Sequence, residues 1–262
     1  WRDWSSDVCS SDLIVDPHAA NSNGSRKDNP IEVFINKMSQ AMDYAREYDA
    51  DIYIAGDMTD VIDLKNGVLD KIIDFYKANE DVRTFVVYGN HDEYRNNKVL
   101  RNETALNLLF KSTNNLIQYP SCSEETDVFG VDYLDGLTEE NISKIKTEQK
   151  VVMAHSFFNN DFYGNDEKEN ITKEKAMILA EKGVEILFLG HDHEEHKTIL
   201  LNNLKIFRIG NLYRKHKKAY NVGRLIKILL VKKDLTTKEL IIKAPPFLEV
   251  LSSNKTNKII IS

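Results

Sequence analysis

The chain has 262 residues, of which 42% are hydrophobic and 29% charged, and its formal net charge is −6. That balance belongs to an ordinary globular protein, long enough for one large α/β domain or two small ones. It excludes a chain that binds nucleic acid through overall basicity, and no apolar run approaches the roughly 18–20 residues of a membrane-spanning helix.

The first twelve residues, Trp1 to Asp12, show no periodicity and no apolar core of a signal peptide. They read as the translation of a common sequencing-adapter oligonucleotide, so residues 1–12 are treated as a scar outside the fold. A single domain is expected over 13–262, with its first strand truncated at Leu13. Cys122 is then the only cysteine outside the scar. One thiol forms no internal disulfide, which fits a reducing, cytoplasmic setting.

Leu13-Ile14-Val15 reads as a short buried strand ending at Asp16-Pro17-His18. Asn29-Pro30 opens a helix, with Asn as N-cap and Pro in the first turn. Ile31, Phe34, Ile35, Met38, Met42 and Ala45 then recur at helical spacing to about Tyr48. A strand over 51–55 ends at Gly56-Asp57-Met58-Thr59-Asp60. Leu69, Ile72, Ile73 and Tyr76 mark a second helix, and a strand over 82–88 ends at Gly89-Asn90-His91-Asp92. This alternation predicts a parallel sheet covered by helices, with the three motifs at the carboxyl ends of its strands.

Farther on, a helix is expected over 100–110, short strands between 115 and 133, and a short helix over 139–146. A strand over 151–154 ends at His155. The polar stretch 156–170, with Phe157, Phe158, Phe162 and Tyr163 interleaved, has the length of a functional lid. A helix over 172–182 and a strand over 184–189 lead to Gly190-His191-Asp192-His193. Strands near 198–201, 204–209, 222–232 and 237–243 follow, the last expected at the far side of a second sheet, with a further edge at 247–251. From His196 to Lys233 there is no Asp or Glu, but there are eleven Lys and Arg. A block of one sign favours a polyanionic partner.

Each of the five motifs is short, but together they supply carboxylate, imidazole and amide groups for two metal ions. Hard oxygens mixed with imidazoles suit Mn²⁺, Fe or Zn²⁺ better than Ca²⁺ alone. Two ions ~3.5–4 Å apart can clamp both oxygens of a phosphoryl displacement. The motif order D-x-H, G-D-x-x-D, G-N-H-D/E, lone H and G-H-x-H resembles the calcineurin-like metallophosphoesterase superfamily, over Leu13 to about Val231. Pro17 between the first two ligands departs from nothing essential, because it removes no ligand.

The resemblance implies a four-layer α-β-β-α sandwich with two mixed sheets, and hydrolysis of phosphoesters by a metal-bridging water. It implies two divalent ions, Mn²⁺ foremost, bridged by Asp57. Asp16, His18 and His193 would complete one ion; Asn90, His155 and His191 would complete the other. His91 would protonate the leaving oxygen or stabilise the phosphorane-like transition state, with Asp60 as the carboxylate that orients it. Asp92 and Asp192 are expected to support loops, and His196 and His216 to lie at the surface.

Among phosphoesterases, the 41-residue step from Asp16 to Asp57 and the segment Arg208 to Arg214 are similar to SbcD-type exonuclease subunits and phage DNA exonuclease-like proteins. That implies a nuclease acting on DNA, with Arg214, Lys215, Lys217 and Lys218 on the phosphates and an ATPase subunit as a possible partner. Tyr213 and Tyr220 could stack on bases. The alternatives are a phosphatase, a small-nucleotide phosphodiesterase, or a non-catalytic scaffold.

Overall fold

Parallel strands need crossover connections, and this chain supplies helices for them in order. The computed structural model describes residues 10–14, 16–21, 29–94, 97–119, 128–158, 170–210, 212, 226–243, 248–253 and 256–261. The first half runs β1 (Ser10–Ile14), α1 (Pro30–Tyr48), β2 (Ala50–Ile54), α2 (Asn66–Ala78) and β3 (Thr84–Val86). A 3-10 helix (Lys98–Glu103) and α3 (Ala105–Ser112) lead to β4 (Leu116–Gln118). Then come β5 (Val128–Val131), α4 (Glu139–Lys144), β6 (Val151–His155), β7 (Phe157–Phe158) and β8 (Asn170–Ile171). The remainder is α5 (Lys173–Glu181), β9 (Ile186–Gly190), β10 (Ile199–Leu201), β11 (Leu204–Phe207), β12 (Ile226–Val231), β13 (Thr237–Ile242), β14 (Leu248–Ser253) and β15 (Thr256–Ile261).

Two large sheets result, in the orders β13-β12-β1-β2-β3-β4 and β10-β11-β9-β6-β5. Strands β1 to β4 are parallel to one another, and so are β5, β6, β9 and β11, while β10, β12 and β13 run antiparallel to their neighbours. The layering follows from side-chain alternation. Ile14, Ile52, Ile54 and Val86 face one way and pack with Met38 and Met42 of α1, Leu69 and Ile72 of α2, and Leu106 of α3. Their neighbours Leu13, Tyr53 and Phe85 face the other way and meet Val151, Met153, Ile186 and Phe188 of the second sheet. The outer face of that sheet, with Val152, Ala154, Leu187 and Leu189, is covered by Ile142 of α4 and Ala176 and Leu179 of α5. Helix, sheet, sheet, helix is therefore the order of layers, as expected. Strands buried on both faces are largely apolar, which is why β2, β6 and β9 carry no alternation of polarity, Asp51 in β2 being paired with Arg83.

Register aligns the strand ends that matter. Ile14 pairs with Ile54 and Ile54 with Val86, while His155 pairs with Gly190. The chain thus leaves β1, β2, β3, β6 and β9 toward one edge of the two-sheet core.

Four details differ from the sequence reading. β1 begins at Ser10, paired with Ala50, because backbone pairing needs no particular side chain. The helix expected over 100–110 is interrupted at Thr104, whose hydroxyl accepts from the Asn107 N–H and caps α3. β13 closes the edge of the first sheet through β12 and β1, not the far side of the second. Alternation of polarity fixes which face of a strand is buried but not which sheet edge accepts it. The strand expected as an edge at 247–251 instead forms a separate hairpin of β14 with β15. Most of the expected lid, 159–169, lies outside the described residues, as do Cys122 and His216. Among the described residues no helix is long and apolar enough to cross a membrane.

Ile52 is fully buried between the helices and β1 to β3. Ile52→Ala is expected to lower unfolding free energy by about 2–5 kcal/mol, read from urea denaturation.

Candidate metal centre

The five motifs meet at the aligned edge, and their backbone is bent to do so. Seven non-glycine residues have positive φ among the described residues; four of them are Asp16 (43°), His18 (46°), Asp57 (48°) and His191 (79°). Left-handed backbone of this kind costs about 1–3 kcal/mol per residue and persists only where surrounding structure imposes it. The neighbouring motif glycines serve close approach. A Cβ on Gly89 would lie 2.2 Å from the Asp57 carboxylate, and one on Gly190 would lie 2.0 Å from the Ala55 carbonyl oxygen.

Two sets of ligand atoms form. Asp16, His18, Asp57 and His193 offer one atom each within 4.8 Å of one another, and Asp57, His155 and His191 form a second set on the same criterion. Asp57 belongs to both. Its Oδ2 lies 3.7 Å from His18 Nε2, and its Oδ1 lies 3.4 Å from His155 Nε2. On the first side, His18 Nε2 and His193 Nε2 are 3.1 Å apart, with Asp16 Oδ2 3.6 Å from His193 Nε2. On the second, Asn90 Oδ1 is 2.9 Å and His191 Nδ1 3.1 Å from His155 Nε2.

Hydrogen bonds fix which ring nitrogen is available. His155 Nδ1–H donates to the Ala55 carbonyl at 2.7 Å, and a carbonyl only accepts, so Nε2 keeps its lone pair for a metal. His91 Nδ1–H donates to the main-chain oxygen of Asp60 at 2.8 Å, while the Asp60 carboxylate stands 3.8 Å away. That carboxylate is nearer to His18 Nδ1, at 3.4 Å. Asp60 therefore holds His91 by its backbone and leans its side chain toward His18, a division that spacing along the chain does not reveal. Against the second set lie Phe157, 4.1 Å from the His191 ring, and Tyr133, 5.7 Å from it.

The electrostatics are those of a cation site. Burial, with Asp57 close by, pushes the Asp16 carboxyl well above its ordinary value. Burial acts on Asp57 in the same direction, but the imidazoles of His155, His18 and His91 outweigh it and hold Asp57 below its ordinary value. Burial and neighbouring imidazoles drive His191 and His193 down to about 3, so both are neutral donors at physiological pH. Asp57 Oδ2 is buried without a hydrogen-bond partner. A buried acceptor of this sort, amid imidazoles and two carboxylates, fits divalent ions by the chemistry of its donors.

A model of calcineurin-like phosphoesterases matches residues 13–195, more than half of the chain. The chain belongs to the calcineurin-like phosphoesterase family. It is accordingly a metal-dependent hydrolase of phosphoesters, and the buried His and Asp cluster is its candidate metal site. No curated protein matches the chain.

Asp92 supports loops, as expected. Fully buried, it accepts from the Met58, Thr59 and Gly89 N–H groups and from the Thr59 hydroxyl, and so ties two motifs together. Burial, then the Asp57 charge, raises it to about 7. His196 is partly exposed and meets Asp192 at 2.8 Å. Sequence reasoning missed Glu93, which directly follows the Gly89-Asn90-His91-Asp92 loop, and Arg101, Asp132 and Tyr133, which reach that loop from later segments; none of the four carries a motif. Arg214, Lys215, Lys217 and Lys218, with Tyr213 and Tyr220, lie outside the described residues. One described member of the basic block, Lys227, pairs with Glu195 at 2.8 Å and Glu239 at 2.6 Å, so the block is free of acid in sequence but not in space.

Asp57→Ala removes the carboxylate common to both sets and is expected to abolish tight metal binding. Gly89→Ala, which displaces Asp57, should weaken binding roughly 10- to 100-fold, as loss of a ligand's support does. Metal content after equilibrium dialysis measures both; Gly89→Ala at parental affinity contradicts the geometry.

Proposed function

We propose that the protein is a dinuclear metal phosphodiesterase that cleaves DNA. The observation that carries the dinuclear reading is the position of Asp57 between two sets of donors. In this reading Asp57 would be shared by two ions; Asp16, His18 and His193 would hold one, and Asn90, His155 and His191 would hold the other. Two bound divalent ions, with Mn²⁺ the first choice and Fe or Zn²⁺ compatible, would activate water and offset charge on the phosphoryl oxygens.

The chain's own groups do the rest. Asp16 and Asp57 set a negative pocket that selects cations. Neutral His155, His191 and His193 enter without having to lose a proton. His91 is partly exposed, and its Nδ1 is engaged by the Asp60 carbonyl. Its Nε2 is then the atom that delivers a proton to the leaving oxygen. Phe157 and Tyr133 shield His191 from water.

The choice of DNA is supported by the run of eleven basic residues without an acid from His196 to Lys233, which adjoins the last metal motif. A polyanion would be drawn to Arg214, Lys215, Lys217 and Lys218, and its hydrolysis should fall steeply with salt.

His91→Ala is expected to lower kcat by about 10²- to 10⁴-fold with metal content unchanged. Steady-state hydrolysis of a chromogenic phosphodiester with Mn²⁺ reads the first quantity and dialysis the second; full activity in the variant refutes the acid role. Changing Lys215, Lys217 and Lys218 together to Ser should weaken DNA cleavage while sparing the small diester. Equal loss on both would indicate misfolding, and intact DNA beside a cleaved small ester would assign a nucleotide or phosphoprotein substrate.

A further inference from the structure

We propose that Arg101 is a positioning residue that clamps both ends of the Gly89–Asp92 loop and so fixes Asn90 and His91 for reaction. The inference rests on the roles given above to those two residues.

The segment after β3 has no ladder of its own, since it leaves the sheet at Val86. Its two ends are nevertheless tied to one guanidinium. At the far end, Glu93 is buried, and Arg101 Nε donates to its two carboxylate oxygens at 2.9 and 3.1 Å, with Nη2 donating to Oε1 as well. From the other side of the fork, Arg101 Nη1 donates to Asp132 Oδ2 at 2.8 Å. Asp132 Oδ1 in turn accepts from the Tyr88 N–H at 2.8 Å, at the near end of the loop. The Arg101 Cζ lies 4.1 Å from the centre of the Tyr88 ring. Tyr88, the loop, Glu93, Arg101 and Asp132 thus form a closed ring, and Asn90 and His91 lie on its covalent side.

The ring also spans the two sheets. Asp132 follows β5, and the Tyr133 N–H donates to the Tyr88 carbonyl at 2.9 Å. The Tyr133 side chain then meets His155 and His191. Arg101 therefore sets the loop carrying Asn90 relative to the two imidazoles that share its metal set.

Glu93 and Asp132 are both buried carboxylates, and removing their common cation would leave two charges uncompensated. Only a planar fork serves both at once; a lysine ammonium keeps the charge but not the two-sided geometry. Arg101 is itself in neither set of ligand atoms. Its effect on chemistry must pass through the loop. A misplacement of about 1 Å in a reacting group can lower rate ~10²-fold.

The test compares Arg101→Lys and Arg101→Met with the parent, on a small phosphodiester with saturating Mn²⁺. Expected is a fall in kcat of about 10- to 100-fold in both, with KM and metal affinity within about threefold of the parent. The lysine variant should keep the parental melting temperature, which separates loss of the fork from loss of charge. Amide exchange of Asn90, His91 and Asp92 should speed about tenfold or more in Arg101→Lys, with Ile52 and Leu187 unchanged. This last readout needs no activity, so it decides the clamp even if the parent cleaves no ester, an outcome that would sink the functional reading alone. A kcat within twofold of the parent, or unchanged exchange in the loop, overturns the proposal. So does a loss of kcat matched by equal loss of metal affinity.

Discussion

Two carboxylates, Asp16 and Asp57, are buried side by side at the edge of the two-sheet core, and much of the surrounding structure answers their repulsion. Burial raises Asp16, whereas three imidazoles hold Asp57 down, so adjacent acids meet unlike environments. Protein groups offset part of this charge. The His191 N–H reaches Asp16 at 3.0 Å and the His91 N–H reaches Asp57 at 2.9 Å. Asp57 Oδ2 keeps no hydrogen-bond partner, and His191 and His193 of the two donor sets are neutral, with lone pairs to share. Divalent cations would answer all three features at once.

Holding such an arrangement requires a rigid frame. Strands buried on both faces give it, because β1, β2 and β3 cannot slip by one residue without moving a whole apolar set into the wrong layer. The register that aligns Ile14, Ile54 and Val86 in one sheet, and His155 with Gly190 in the other, brings five chain exits to one edge. Strain is then affordable locally. The left-handed backbone at Asp16, His18, Asp57 and His191 persists because apolar packing on either side fixes the chain before and after each motif.

The loops between frame and metal are held by buried polar groups from elsewhere. Asp92 gathers N–H groups of two motifs, the Ala55 and Asp60 carbonyls choose tautomers for His155 and His91, and Arg101 joins Glu93 to Asp132. Each is a hydrogen bond across more than thirty residues except those within the Gly89–Glu93 loop and its Arg101 link, and each replaces a freedom that the loop would otherwise have.

Local spacing alone determined the strand-then-ligand motifs and the helices that cover them, because both depend on residues a few positions apart, whereas the four-layer class of fold came through the family that the motifs resemble. Asn29 capping α1, and the largely apolar strands β2, β6 and β9, were legible for that reason. The motif set, through the family it resembles, also pointed to Asp57, the group that belongs to both sets of ligand atoms. Tertiary structure alone decided which sheet edge β13 joins, that the main-chain oxygen of Asp60 lies closer to His91 than its carboxylate does, and that Lys227 of the basic run has acidic neighbours. It alone brought Arg101, Asp132 and Tyr133 to the Gly89–Glu93 loop. Those outcomes turn on which distant side chains share a buried volume, and the period of a helix or strand, which fixes a face, carries no information about the partner that will cover it.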